Sequence, residues 1–347
     1  MAINTLAVVQ QNNLFTDEYW EKRLLGMIAI EQKEMVFTNL GIKRTIPLNQ
    51  GNKTFTMRRY LHLPVDLATQ LLAEGVAPDA LKVEGQKVSG TVNQYGARIE
   101  VTDVAEDIHM DNIREVYQPE LARHGAEVIE QDVIASFSEA SEYFVGSRVS
   151  KATLEATDIL KLADTRRVAL QMRVNLRKGH PKAGGKPLVV VRPEVMQDLL
   201  DDDTLETKML ATGMENTPIK NGSLRGYTVY DLAFQESLMA EVEEIPAVIG
   251  TGTVGAPQFP AFNVYTSYMI GNEAYMVLNL GNLSWHNVPF KATWGNELGQ
   301  KASVGYKLWT GAKVIDPMAL ILIYSRSAYD VVDYTATDLW AQSASQV

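Results

Sequence analysis

The chain has 347 residues, 46% of them hydrophobic and 21% charged, with a net charge of −10. That is enough apolar material for a large core, more naturally two domains than one, and it excludes wholesale disorder. The acidic balance speaks against a sequence-specific grip on DNA, and the absence of cysteine excludes disulfides and thiolate metal sites.

Residues 1–42 read as an arm. Its start has no basic segment, and the apolar run Leu6 to Val9 is too short for a signal peptide. Asp17 is placed to cap a helix carrying Trp20, Leu24, Met27 and Ile28, then Met35 and Phe37, with Gly41 ending it. Residues 43–105 read as extended structure. Ile42 to Leu48 and Thr54 to Leu61 alternate, with a turn at 49–52 between them. A second pair is expected at Val88 to Val92 and Ala97 to Val101, with a bulge near Gly96. A long two-stranded excursion is marginal alone, so it must lie on something else.

The clearest element is a helix expected over 119–145. Ala122, Ala126, Ile129, Val133, Phe137, Ala140 and Phe144 step by threes and fours, which keeps them on one stripe. Glu120, His124, Glu127, Gln131, Ser138 and Glu142 fall opposite. Pro119 suits the first turn, and Gly146 suits the position past the end. Another helix is expected from Asp158 to Leu176. Leu188 to Val191 reads as a buried strand, and Pro193-Glu194 opens a helix that ends at Asp201-Asp202-Asp203. Strands are expected at Tyr227 to Leu232, Tyr275 to Leu280, Val304 to Ile315 and Ala319 to Tyr324. The late strands point to a domain begun early, interrupted by an insertion and completed near the end. No stretch approaches 18 consecutive apolar residues, so no membrane span is expected.

Charge is unevenly placed. Residues 100–142 hold twelve Asp or Glu against two Arg, and 161–192 hold nine Lys or Arg against one Asp. Such segments pair within a subunit or across an interface, or else form two solvated faces of opposite sign.

Three motifs imitate chemistry. Gly250-Thr251-Gly252-Thr253-Val254-Gly255 matches a dinucleotide fingerprint, but Pro257 and Pro260 break the helix that would have to start there. Lys182-Ala183-Gly184-Gly185-Lys186 resembles a phosphate loop, but Pro187 replaces the magnesium-holding hydroxyl. Asp103, Glu106, Asp107, Asp111 and Glu115 form a carboxylate cluster without the spacing of a calcium loop. The five histidines show no zinc spacing. No cofactor is expected, no catalytic or metal-binding residue is assigned, and the chain is read as not an enzyme.

A resemblance rests on Asn13-Leu14-Phe15 with Trp20; Ile46-Pro47-Leu48-Asn49-Gln50-Gly51; Arg58-Arg59-Tyr60; Glu74-Gly75-Val76-Ala77-Pro78; Asn93-Gln94-Tyr95-Gly96; and Val101-Thr102-Asp103. Val304-Gly305-Tyr306-Lys307 and Gly311-Ala312-Lys313-Val314 complete it. In this order they resemble the major capsid proteins of tailed bacteriophages with the Hong Kong 97-type fold, closest to a podophage coat-protein subfamily. The resemblance implies an α+β chain with a long spine helix, an extended β-hairpin loop and an inserted axial domain. Its divisions would be an arm at 1–42, the extended loop at 43–105, a peripheral domain at 106–182, the axial domain at 183–300, return strands at 301–326 and a tail at 327–347.

The implied function is a subunit that assembles with itself, as hexamers and pentamers, into an icosahedral shell around double-stranded DNA. Portal, scaffolding or decoration proteins would be partners. DNA would be held non-specifically, with no membrane partner. The place would be the virion, after assembly in the host cytoplasm. The alternatives are an encapsulin-like nanocompartment shell and a cation-dependent hydrolase using the carboxylates of 103–115. Phe55, Met57, Arg58, Arg59 and Tyr60 are the expected inter-subunit contact, since an excursion rich in aromatic and Arg side chains needs a partner. The competing reading is that they pack on their own domain.

Overall fold

A computed structural model of the chain describes residues 35–47, 52–60, 63, 65, 71, 80–102, 113–176, 187–202, 226–229, 232–245, 262–281 and 301–329. In chain order its elements are α1 (Val36–Leu40), β1 (Ile42–Ile46), β2 (Thr54–Tyr60), β3 (Gly85–Thr91), β4 (Asn93–Thr102), α2 (Ile113–Ala135) and β5 (Ser141–Phe144). There follow α3 (Leu162–Leu176), β6 (Leu188–Val191), α4 (Pro193–Leu200), β7 (Gly226–Val229), β8 (Leu232–Glu236) and β9 (Val242–Ile245). The last four are β10 (Phe262–Ile270), β11 (Tyr275–Leu280), β12 (Lys301–Val314) and β13 (Leu320–Ser325). Two compact units result: Met1–Ser138 with Tyr275–Ile315, and Glu139–Ala274 with Asp316–Val347.

The first unit is built on the sheet β1-β11-β12-β4 and on the two-stranded β2-β3. α2 lies on the first sheet because its apolar stripe matches one face of β4 and β12. Leu121, Ala122 and Ile129 pack with Tyr306 and Leu308, and Tyr95, Ala97 and Ile99 close the edge. Ala126, Val133 and Phe137 are buried too, so the stripe is the helix's core face as expected.

The helix itself is shifted. It begins at Ile113, leaving Pro119 inside, and ends at Ala135 rather than at 145. Proline at the first turn is a preference, and in the interior it removes one N–H that the rest of the helix absorbs. Beyond Ala135 the chain tightens into a 3₁₀ turn at Ser136–Glu139. The Ser136 hydroxyl donates to the Val133 carbonyl at 2.6 Å, which competes with continuing the helix. β5 then pairs in parallel with β13, so a tertiary ladder takes residues whose spacing is helical.

Three strand expectations are also corrected. β1 pairs in parallel with β11, not with β2 across a turn at 49–52. β3 pairs with β2 and β4 with β12, so the second expected hairpin does not form. A single residue, Val92, separates β3 from β4, too few to reverse the chain. The β4–β12 ladder runs unbroken through ten pairs with Gly96 opposite Lys307, so there is no bulge.

The second unit holds a seven-stranded sheet, β5-β13-β10-β6-β8-β7, with β9 on the free end of β10. α3 and α4 cover one face of it. Val168, Ala169, Met172, Val195, Met196 and Leu199 pack on Val189, Val191, Tyr265, Met269, Ile321 and Ile323. β6 and β13 are buried along their whole length, which is why they read as continuous apolar runs. α3 begins at Leu162, not at Asp158, and its first N–H is capped by Asp202 at 3.1 Å. Asp158 instead accepts the Glu155 N–H and the Arg148 Nε, each at 2.8 Å.

Gly146 does adopt the left-handed backbone expected of it, at φ 72°, but in the turn after β5. A Cβ there would sit 2.2 Å from Asp158 Oδ1. Gly146→Ala is therefore expected to destabilise the second unit by about 2–3 kcal/mol, from positive φ plus a displaced Asp158. Denaturant unfolding measures it, and an unchanged midpoint would contradict the assignment.

Candidate functional site: a ribbon with an open end

The β2-β3 ribbon has two environments along its length. At its base Phe55, Met57 and Val88 pack with Ile46, Val92, Met276, Leu278 and Ile315. Gly90 fits there because a Cβ would meet Leu278 Cδ1 at 2.6 Å. Further out the covering stops. Arg58 is exposed, and Tyr60 is 65% exposed, paired with Gly85 at the far end of the ladder. Among the described residues between the strands, Val65, Leu71, Leu81 and Val83 are exposed, Leu71 by 82%.

The five expected contact residues therefore separate. Phe55 and Met57 are half-buried on their own unit, while Arg58 and Tyr60 face outward and Arg59 is half-buried. Alternation along a strand produces this split, because neighbouring side chains point to opposite faces.

Behind the ribbon the first unit is locked by a residue that the strand and stripe pattern did not flag. Glu130 is fully buried on α2 and accepts hydrogen bonds from the Phe37 N–H at 2.7 Å, the Thr38 N–H at 2.9 Å and the Thr38 hydroxyl at 2.6 Å. It thus satisfies the first N–H groups of α1. Burial raises its carboxyl above the usual value, against those hydrogen bonds. The signal was present: position 130 is four beyond Ala126 and three before Val133, on the apolar stripe. The Tyr275 hydroxyl donates to the Phe37 carbonyl at 2.6 Å and completes the lock. Along the same helix, His124 Nδ1 lies 2.6 Å from the Tyr306 hydroxyl, whose pKa burial and Glu127 push up to about 12.

Among the described residues no three His, Asp or Glu side chains are grouped to hold a metal. Residues 103–112 of the carboxylate cluster, the glycine-rich stretch 250–255 and the basic loop 182–186 lie outside the described residues.

No known family and no curated protein matches the chain by sequence. Solved structures do. The capsid of Ralstonia phage GP4 superposes with a TM-score of 0.60 at 12% identity, covering 85% of this chain and 89% of that one. The capsid of cyanophage P-SCSP1u gives 0.57 at 14% identity, with the same coverage. The acid-stable capsid of Helicobacter pylori bacteriophage KHP30 gives 0.56 at 12% identity, over 82% and 87% of the two chains. The chain has the Hong Kong 97-type capsid fold. Among the described residues β2-β3 is the one two-stranded sheet.

Proposed function

We propose that the chain is a major capsid protein that assembles with itself into an icosahedral shell around double-stranded DNA. The observation that carries this is the Hong Kong 97-type fold spanning most of the chain and of the phage capsid proteins it resembles. In this reading residues 43–105 form the extended loop that overlaps a neighbour, and α2 is the spine helix. The axial domain is 183–300, whose loops gather at five-fold and six-fold centres, and the strands of 301–326 return to the peripheral domain. The role is structural rather than enzymatic. The place is the virion, and assembly occurs in the host cytoplasm. Portal, scaffolding and decoration proteins belong to the same reading.

The mechanism is geometric. One patch of a subunit meets a different patch on the next, and the rotation closes into rings and then a shell. Each contact need only be ordinary in size, since many are made together. An acidic subunit suits a lumen that holds DNA without gripping it.

Negative-stain microscopy of the purified protein tests the reading. Uniform closed particles or capsomers are expected, and a persistent monomer at high concentration would overturn it. Particle contents separate the shell types: DNA for a virion, a protein cargo for a compartment. Arg58→Glu with Tyr60→Asp tests the ribbon. Both side chains are exposed, so stability should stay within about 0.5 kcal/mol of wild type while closed particles are lost. Normal particles from this variant would remove the ribbon from the interface.

A further inference from the structure

The outward face of α3 is unusual for a solvated helix. Leu170 is 61% exposed and Val174 65% exposed, one turn apart, and both stand clear of the core beneath. Arg167 shares their face and Arg173 borders it, both exposed. Thr165, Val168, Ala169 and Met172 supply the buried side, so Leu170 and Val174 are surplus to the unit's own packing.

An acidic face of the same unit offers the complement. Glu142 on β5 accepts the Tyr324 hydroxyl at 3.2 Å. Glu243 on β9 sits beside the same ring and is paired with Lys151, whose ammonium lies 4.5 Å over that ring. Glu241, just ahead of β9, is exposed like the other two. Burial first, then Glu142, Glu241 and Glu243, push the Tyr324 hydroxyl far above its usual range, which marks where negative potential is concentrated. Lys151 is the cation that the structure pairs with this group among the described residues, and it meets one carboxylate of the three. Val149, two residues before Lys151 in the chain, is 88% exposed.

Strand alternation fixes which side of the sheet each face occupies. Tyr265, Ile321 and Ile323 point into the core under α3. Tyr324 therefore points to the other side, as do Thr266 opposite it and, two residues along β10, Val264 with its partner Glu243. Phe144, paired with Tyr324, carries Glu142 on that side with it. The basic, apolar face and the acidic face thus lie on opposite sides of one sheet and cannot neutralise each other within a copy.

We propose that the Arg167, Leu170, Arg173 and Val174 face of α3 in one copy docks on the Glu142, Glu241 and Glu243 face of the next. This is a heterologous, head-to-tail contact of the kind that closes into a ring. Opposite charge sets its register, and Leu170 and Val174 are covered by it. The contact rests on the shell reading above and names the surface by which the second units of a capsomer meet.

The test uses the full chain, with assembly read by velocity sedimentation and negative-stain microscopy. Arg167→Glu with Arg173→Glu, and separately Glu241→Lys with Glu243→Lys, should each reduce the assembled fraction by about tenfold or more, because like charges then face each other. Circular dichroism should match wild type for every variant, since all four side chains are on the surface; Glu243→Lys gives up its Lys151 ion pair, so its thermal midpoint is compared with that of Lys151→Ala, which loses the same pair. The chain carrying all four substitutions should assemble again, because the charges are exchanged across the contact. Either pair assembling like wild type, or the fourfold variant failing to recover, overturns the contact while leaving the shell reading in place. A wild-type chain that forms neither rings nor particles removes the shell reading and this contact with it.

Discussion

Glu130→Ala is expected to lower the stability of the first unit by about 3 kcal/mol and to expose the amides of Phe37 and Thr38 to exchange. Both N–H groups and the Thr38 hydroxyl end on this one carboxylate, in a place water does not reach. Removing it strands buried donors, at about 1–3 kcal/mol each before relaxation. Amide hydrogen exchange at the two positions reads the local effect, and denaturant unfolding reads the global one. Unchanged protection at Phe37 and Thr38 would mean that α1 is held by its packing alone.

The same group gives a pH signature. Burial holds the Glu130 carboxyl above its usual value, so the folded unit takes up a proton more readily than the unfolded chain. Its contribution is complete below the ordinary glutamate range and declines as pH rises through the raised value. Glu130→Gln cannot titrate. The stability of wild type relative to Glu130→Gln should therefore improve as pH is lowered from about 8 to about 5. A relative loss over that interval would show that the hydrogen bonds, not burial, dominate.

Phe137→Ala should cost about 4 kcal/mol, as large as any single truncation in the first unit. The ring is 1% exposed and meets two others edge-on, Phe37 at 5.7 Å between centroids and Tyr275 at 4.8 Å. Removing it opens a cavity and breaks both aromatic contacts, which add to area burial. Phe137→Leu keeps most of the volume and should cost only about 1.5 kcal/mol. Its exposed neighbour Ser138 is the control, and Ser138→Ala should change stability by no more than about 0.5 kcal/mol. Equal effects at positions 137 and 138 would place the ring outside the core.

Local pattern carried much of this fold. The stripe from Ala122 to Phe137 located the core face of α2, and the unbroken apolar runs located β6 and β13. Pro193 marked the start of α4, where it occupies the first turn. What pattern could not carry was partnership. Nothing local to Ile42–Ile46 says that it pairs with Tyr275–Leu280, and its alternation points instead to a hairpin with Thr54 to Leu61 that does not form. The end of α2 was missed because Ser141–Phe144 has helical spacing, yet a parallel ladder with β13 decides it. The composition of the ribbon does not carry its facing, so Phe55 and Met57, half-buried on their own unit, are grouped in sequence with the exposed Arg58 and Tyr60. Glu130 was hidden by its charge, since a carboxylate on an apolar stripe reads as noise until its donors are known.

The pairing of residue 42 with residue 276, and of residue 141 with residue 321, has a consequence during synthesis. Each of the two larger sheets draws on strands from far apart in the chain, a topology that delays folding until the distant partner exists. On the ribosome the nascent polypeptide emerges with β1 waiting for β11 and β5 waiting for β13. Neither can find its place until the distant strand has been made. A product cut short of β11 or β13 therefore leaves β1 or β5 without its ladder partner, and neither sheet closes.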